Sequence, residues 1–278
     1  MKRRKFTAIP DTSGHGIWRI DAFAGSLWYH FLKIIRRRDC VGKPAMEDIR
    51  MNYVIANLHG DYDRYQKMLG KIALKEDDTL YVLGNVLDPE ALDGGMKLFQ
   101  DMAMRPNVIP IIGRNEFLAS ITLGDHTAPK EQAKLKKILS QLGDAEQAEL
   151  ISWIKGGGNA VTREFRELGP EDQEDFLDYL SEFSLVEEVR TEERTFLLVS
   201  AGLDHFTPDR DPEDYRPWEV IYHPLDFSRK YLPDRCLVSS INPEPHADRI
   251  VMKNRNIAID CGTRLGCLCL DTMKPSYI

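Results

Sequence analysis

From Met51 onward, short apolar runs alternate with polar loops and then with stretches of helical periodicity. The runs at 53–56, 80–83 and 108–112 are almost wholly apolar. Apolar runs of this length, bounded by turn residues, predict buried strands. Each closes on a glycine-bearing loop: Asn57-Leu58-His59-Gly60, Gly84-Asn85-Val86-Leu87-Asp88 and Gly113-Arg114-Asn115-Glu116. After Gly60 the spacing of Tyr65, Met68, Leu69 and Ile72 predicts a helix that turns these residues inward. A second helix is expected beyond Asp88, through Ala91 to Met104. The order is strand, loop, helix, twice over, which predicts layered α/β architecture.

Between 129 and 184 the pattern is strongly helical. Leu135, Ile138, Leu139 and Leu142 recur at helical spacing, as do Leu150, Ile151, Trp153 and Ile154, and then Phe176, Leu177, Tyr179, Leu180 and Phe183. The run Gly156-Gly157-Gly158-Asn159 predicts a loop between helices; it lacks the lysine and hydroxyl of a P-loop. Strand-like runs return at 195–201, 236–239, 256–260 and 265–270, and Ser200-Ala201-Gly202 closes the first of them. The Pro-, Asp- and Arg-rich stretch 207–233 predicts a long ordered surface excursion. Mixed strands around a helical block do not fit an all-parallel Rossmann sheet.

The first fifty residues differ in character. Ile17, Ile20, Ala24, Leu27, Trp28, Phe31, Ile34 and Ile35 share one helical face, and Arg36, Arg37 and Arg38 follow, where cations suit a helix C-terminus. This predicts an N-terminal extension over 1–50 with an amphipathic helix, ahead of one domain over 51–278 carrying a helical insertion at about 129–184. The helix has two uses: docking on its own domain or on another subunit through residues 17–35, or lying on a membrane surface. The first is the expectation.

The chain has 278 residues, 42% hydrophobic and 29% charged, with a net charge of −7. That balance supports a substantial core and argues against a general nucleic-acid binder, which needs a basic face. The five cysteines are odd in number, and no secretory leader pattern opens the sequence, so reduced thiols in the cytoplasm are expected. No apolar run is long enough to cross a bilayer.

The loops carry a resemblance. In order and spacing they are similar to those of the phosphoprotein phosphatase (PPP-type, serine/threonine protein phosphatase-like) members of the calcineurin-like metallophosphoesterases, bacterial-type proteins included. The likeness runs from about Asn52 to Asp271. The Trp153 segment with Gly157, Gly158 and Thr162, and the turn Ile257-Ala258-Ile259-Asp260-Cys261-Gly262, add to it. It implies a calcineurin-like metallophosphatase fold, an α/β/β/α sandwich, with the helical insertion and N-terminal helical extension described above.

The resemblance also implies where chemistry should sit. Its first loop brings a metal-binding aspartate and histidine; here they are Asn57 and His59. Its second brings a bridging aspartate, a further aspartate and a phosphate-binding arginine; here they are Asn85, Asp88 and Pro89. Its third brings a metal-binding asparagine, an acid histidine and a glutamate; here they are Arg114, Asn115 and Glu116. Ser200 and Ser240 stand where two further histidine ligands belong, and Pro224 where a second phosphate-binding arginine does. Two-metal hydrolysis needs anionic donors holding dications about 3.5–4 Å apart. An amide or hydroxyl oxygen is a far poorer donor.

The expectation is therefore a PPP-like pseudophosphatase that binds or scaffolds a protein or phosphorylated ligand, with no catalytic residues and no resident metal. Arg114 is the candidate anion-binding residue, since a guanidinium supplies positive charge and a planar fork. Alternatively it pairs with Asp88, Glu116 or Asp204 and fills space. The rival is an active phosphoesterase holding Mn²⁺ or Zn²⁺ on His59, Asp88, Glu116 and Asp204. A second metal grouping, His205 with His59 and Asp88, is weaker. His126 sits in a loop-like Gly-Asp-His-Thr. His15, His30, His223 and His246 read as ordinary polar residues.

Overall fold

A computed structural model gives the structure of the chain. It describes residues 50–123 and 142–278, save 243, 245 and 246, together with Ile9, Pro10, Gly16, Ile17 and a few positions between 133 and 140. The remaining residues expected for the amphipathic helix, together with His15, His30, His126, His246, Leu135, Ile138 and Cys40, lie outside the described residues. Ile17 was expected to open that helix. Instead β1 (Ile9–Pro10) and β2 (Gly16–Ile17) form an antiparallel pair with Ile9 opposite Ile17.

The chain divides into two compact units: one holds Leu118–Glu182 and the β1–β2 pair, the other the described residues from Arg50 to Phe117 and Phe183–Ile278.

The second unit carries the site. Strands β3 (Asn52–Ala56), β4 (Thr79–Leu83) and β5 (Val108–Ile111) lie side by side and parallel. They are joined by α1 (Tyr62–Ile72) and α2 (Leu92–Met104), and α3 (Arg114–Thr122) follows β5. This is the βαβ connection that parallel neighbours require. Helix α1 buries Tyr65, Met68 and Leu69, as its periodicity predicts; Ile72 is only half-buried. Asp61 caps it by accepting from the Arg64 N–H at 3.0 Å.

Five more strands, β6 (Val186–Arg190), β7 (Thr195–Val199), β8 (Cys236–Ser239), β9 (Val251–Lys253) and β10 (Asn256–Ala258), build a second sheet in the order β6-β7-β8-β10-β9. Strands β11 (Gly266–Cys269) and β12 (Pro275–Tyr277) complete the first, in the order β12-β11-β3-β4-β5. Both sheets are mixed, as expected. The core lies between them. Val54, Ala56, Tyr81, Leu83 and Ile111 from one sheet meet Phe196, Leu198, Val238 and Ile257 from the other. On the opposite face of the first sheet Ile55, Leu80 and Val82 are also buried, as in strands covered on both sides. The architecture is the expected α/β/β/α sandwich.

The helical unit contains α4 (Asp144–Trp153), α5 (Asn159–Glu167) and α6 (Pro170–Ser181). Two expectations fail there. The glycine run does not open into a loop. Ile154–Gly158 winds as a π-helical turn between α4 and α5, kinked at Gly157, whose φ of 122° only glycine adopts without strain. Gly158 lies against the Trp153 ring, where a β-carbon would collide, so the glycine is kept for packing. Ile151 does not turn inward with Leu150 and Trp153 but is 51% exposed.

The stretch 207–233 is not merely a surface excursion. Its short helix α7 (Pro217–Ile221) is buried at Pro217, Glu219, Val220 and Ile221, and Tyr215, Leu225, Phe227 and Tyr231 are buried around it. Pro217 at the first helical position and Glu219 two residues on are the sequence signature of that helix start. Strands β6, β9 and β12 were not expected. Among the described residues no helix is long and apolar enough to cross a membrane.

Candidate functional site

The three parallel strands end at one edge, so their following loops stand together there. Such an edge is where open α/β sheets place ligands. Backbone hydrogen bonds knit the first two loops: the His59 N–H donates to Asn85 O at 2.8 Å and the Gly60 N–H to Val86 O at 3.1 Å. The second and third approach through glycines. A β-carbon on Gly84 would lie 2.7 Å from the Gly113 Cα, so neither loop has room for a side chain at that point.

Glu116 binds these loops from beneath. It is fully buried, and its carboxylate accepts from the N–H groups of Asn85 at 2.8 Å, Leu87 at 2.8 Å and Gly113 at 3.0 Å. Burial pushes its carboxyl above the usual range, against the pull of the Leu87, Asn85 and Gly113 amides. Glu116 is thus a structural clamp turned inward on backbone, and not an arm reaching into the cleft.

The positions expected for metal ligands are joined to one another. Asn85 Nδ2 donates to Asn57 Oδ1 at 3.0 Å, and Asn57 Nδ2 donates to Asp260 Oδ2 at 2.9 Å, which links the ends of the two sheets. The other Asp260 oxygen accepts from the Gly262 N–H at 2.8 Å. Asn115 Nδ2 donates to Leu87 O at 2.7 Å. Ser200 and Ser240 are buried, and the Ser240 hydroxyl donates to Ser200 O. Asn57 and Asn85 have φ of 52° and 51°, the left-handed region that asparagine tolerates.

His59 Nδ1 lies 2.9 Å from Asp88 Oδ2. Asp204, in the loop after β7, stands 3.4 Å from His205 Nδ1 and 3.3 Å from His223 Nε2. The residues of the rival metal set therefore occupy three separate settings: His59 with Asp88, Glu116 against backbone, and Asp204 between two other histidines. His223, read as an ordinary polar residue, is one of the two. Arg114 is half-buried and opens α3.

Glu219 was not singled out by sequence reasoning. Its carboxylate is 6% exposed and is gripped by Arg210 at 3.0 and 2.7 Å and by the Arg216 N–H at 2.8 Å. Burial alone would raise it, but the Arg210 fork and the Arg216 amide and charge hold it down to about 2. The Asp204 N–H donates to Glu219 O at 2.8 Å, so this buried pair supports the Asp204 loop. Burial, with Cys269 beside it, pushes the Cys267 thiol up to about 12.

The fit of this arrangement to a pair of dications is poor. Asparagine amides and serine hydroxyls offer no charge, and most are already engaged with one another or with backbone. Among the described residues no three His, Cys, Asp or Glu side chains are grouped to hold a metal ion.

No family model and no curated protein matches the chain in sequence. Solved structures do match it in fold. A protein provisionally named a diadenosine tetraphosphatase superposes with a TM-score of 0.53 at 11% identity, over 84% of this chain and 94% of that one. A metallophosphoesterase from Sphaerobacter thermophilus superposes more loosely, with a TM-score of 0.48 at 10% identity over 83% and 87%. A protein serine/threonine phosphatase from Saccharomyces cerevisiae gives 0.45 at 12% over 82% and 79%. The first of these, with the two mixed sheets, carries the fold: a calcineurin-like metallophosphatase sandwich. At such identities the likeness is one of fold, and function rests on the site.

Proposed function

We propose that this chain is a catalytically inactive, PPP-like pseudophosphatase that serves as a binding or scaffolding protein in the cytoplasm. The observation that carries the reading is the chain Asn85–Asn57–Asp260. Side chains where dication ligands are expected spend their polar atoms on each other at 3.0 and 2.9 Å. A dication at these positions would have to displace the Asn85–Asn57 bond and would gain from that pair only neutral amide oxygens in exchange.

Under this reading the cleft is a recognition surface. Arg114, at the first position of α3 and beside the asparagine-linked loops, offers a guanidinium to a phosphate or carboxylate on a partner. Inorganic phosphate or a phosphopeptide then binds the wild type more tightly than Arg114→Ala. Equal binding, or none in either protein, removes Arg114 from the reading. The broader claim is tested by hydrolysis of a phosphate monoester with excess Mn²⁺ or Zn²⁺. No metal-dependent turnover is expected. Turnover lost in His59→Ala would instead establish the active phosphoesterase.

A further inference from the structure

Among the described histidines, His59 is held differently from the others. Its Nδ1 is 2.9 Å from Asp88 Oδ2, and the other Asp88 oxygen accepts the Glu90 N–H at 2.9 Å, so the carboxylate is itself fixed. A carboxylate partner keeps the ring proton on Nδ1 and leaves the Nε2 lone pair outward. The His59 side chain is 51% exposed, so the ring is open to solvent and to a ligand. The backbone is fixed as well. His59 has a left-handed φ of 47°, and its N–H is tied to Asn85 O at 2.8 Å. Next to it, a β-carbon on Gly60 would lie 2.7 Å from the Ala91 Cβ. Non-glycine residues held in this region gather at working sites; His205 shares the conformation, with a φ of 50°, so the close Asp88 contact is what sets His59 apart. His205 and His223 are more exposed, at 72% and 61%, and stand 3.4 and 3.3 Å from Asp204, a looser hold.

We propose that His59 is a metal-free phosphoryl acceptor whose Nε2 takes the phosphoryl group of an acyl phosphate. The inference rests on the pseudophosphatase reading, since a bound dication would claim the same lone pair. The Nε2 pair forms the N–P bond, and the P–O bond to the acyl group breaks with its electrons, releasing a carboxylate. No proton moves in this step: the Nδ1 proton stays between the ring and Asp88, whose charge offsets the cation formed on the imidazole. Arg114 follows β5, two strands along from β3 at the same edge of the sheet, and supplies charge for the phosphoryl oxygens. A fixed ring at a fixed backbone position is what turns an ordinary histidine into an efficient nucleophile.

The test is incubation of the full chain with acetyl phosphate and excess EDTA, followed by peptide mapping at neutral pH by mass spectrometry. One phosphoryl group is expected on the His59 peptide, arriving at least about tenfold faster than on the His205 or His223 peptides. Asp88→Asn should slow labelling of His59 by about tenfold or more, and His59→Asn, which tolerates the left-handed backbone, should remove it. Comparable labelling of all three histidines in the wild type, or none on His59, overturns the inference without recourse to any variant. Metal analysis of the same untreated preparation separates the two readings. Tightly held Mn²⁺ would undo the pseudophosphatase, whereas metal-free protein left unlabelled would undo only the role of His59.

Discussion

Replacing Glu116 offers a quantitative check on how the cleft is held together. Glu116→Ala leaves three donors, the buried N–H groups of Leu87 and Gly113 and the part-buried one of Asn85, without their acceptor. Each orphaned amide costs about 1–3 kcal/mol, and relief from burying the carboxylate offsets part of the sum. A net loss of about 3 kcal/mol or more follows, a large share of an ordinary domain's roughly 5–15 kcal/mol. Glu116→Gln separates the terms. With its oxygen in the Oε2 place it still accepts from Asn85 and Gly113, while its NH₂ faces the Leu87 N–H donor to donor. One contact of three is lost, so about 1–2 kcal/mol is expected. Urea unfolding followed by tryptophan fluorescence measures both, and hydrogen exchange at the Leu87 amide should quicken in each variant. If Glu116→Ala lies within about 1 kcal/mol of wild type, or Gln proves worse than Ala, the clamp is not what joins these loops.

Asn57→Asp would place a carboxylate 2.9 Å from that of Asp260; like charges at this range should destabilise by about 1–3 kcal/mol, read as a lowered Tm, and an unchanged or raised Tm would contradict the hydrogen-bond chain. Glu219 has a carboxyl depressed from 4.5 to about 2, so its contribution, about 3 kcal/mol, is complete above pH ~4.5 and is lost as pH falls toward 2. Arg210→Ala should abolish most of that acid-dependent loss, which acid titration of Tm would show; an identical pH profile would refute it. Gly158→Ala should destabilise the helical unit by roughly 1–3 kcal/mol through collision with the Trp153 ring, measurable by urea unfolding.

The sequence disclosed most of the fold because its central strands are buried on both faces and so appear as unbroken apolar runs. β3, β4, β5, β7 and β8 were legible for that reason. β6 reads Val-Glu-Glu-Val-Arg, and its charged residues broke any apolar run. β9 is short and largely exposed, and β12 begins with a proline at a sheet edge, where no ladder hydrogen bond is lost. The glycine run read as a loop because sequence composition does not reveal the Trp153 ring that needs Gly158.

At the site, which residues stand at the strand ends was legible, and what they do to each other was not. That Asn57 would donate to Asp260 depends on two chain segments 203 residues apart meeting across two sheets. The donors to Glu116 include backbone groups from the loop 29–31 residues earlier, on which side-chain identity is silent. The Glu219 start of α7 was marked in sequence by Pro217 and the glutamate that follows it. Its Arg210 partner, nine residues away, was not.

The claim at the centre is that amide and hydroxyl side chains have taken over the dication positions of a metallophosphoesterase fold. Its most direct test is elemental analysis of the purified protein after incubation with excess Mn²⁺ and desalting. Near-zero metal per chain is the predicted result. One or two equivalents of Mn²⁺ retained per chain would contradict it.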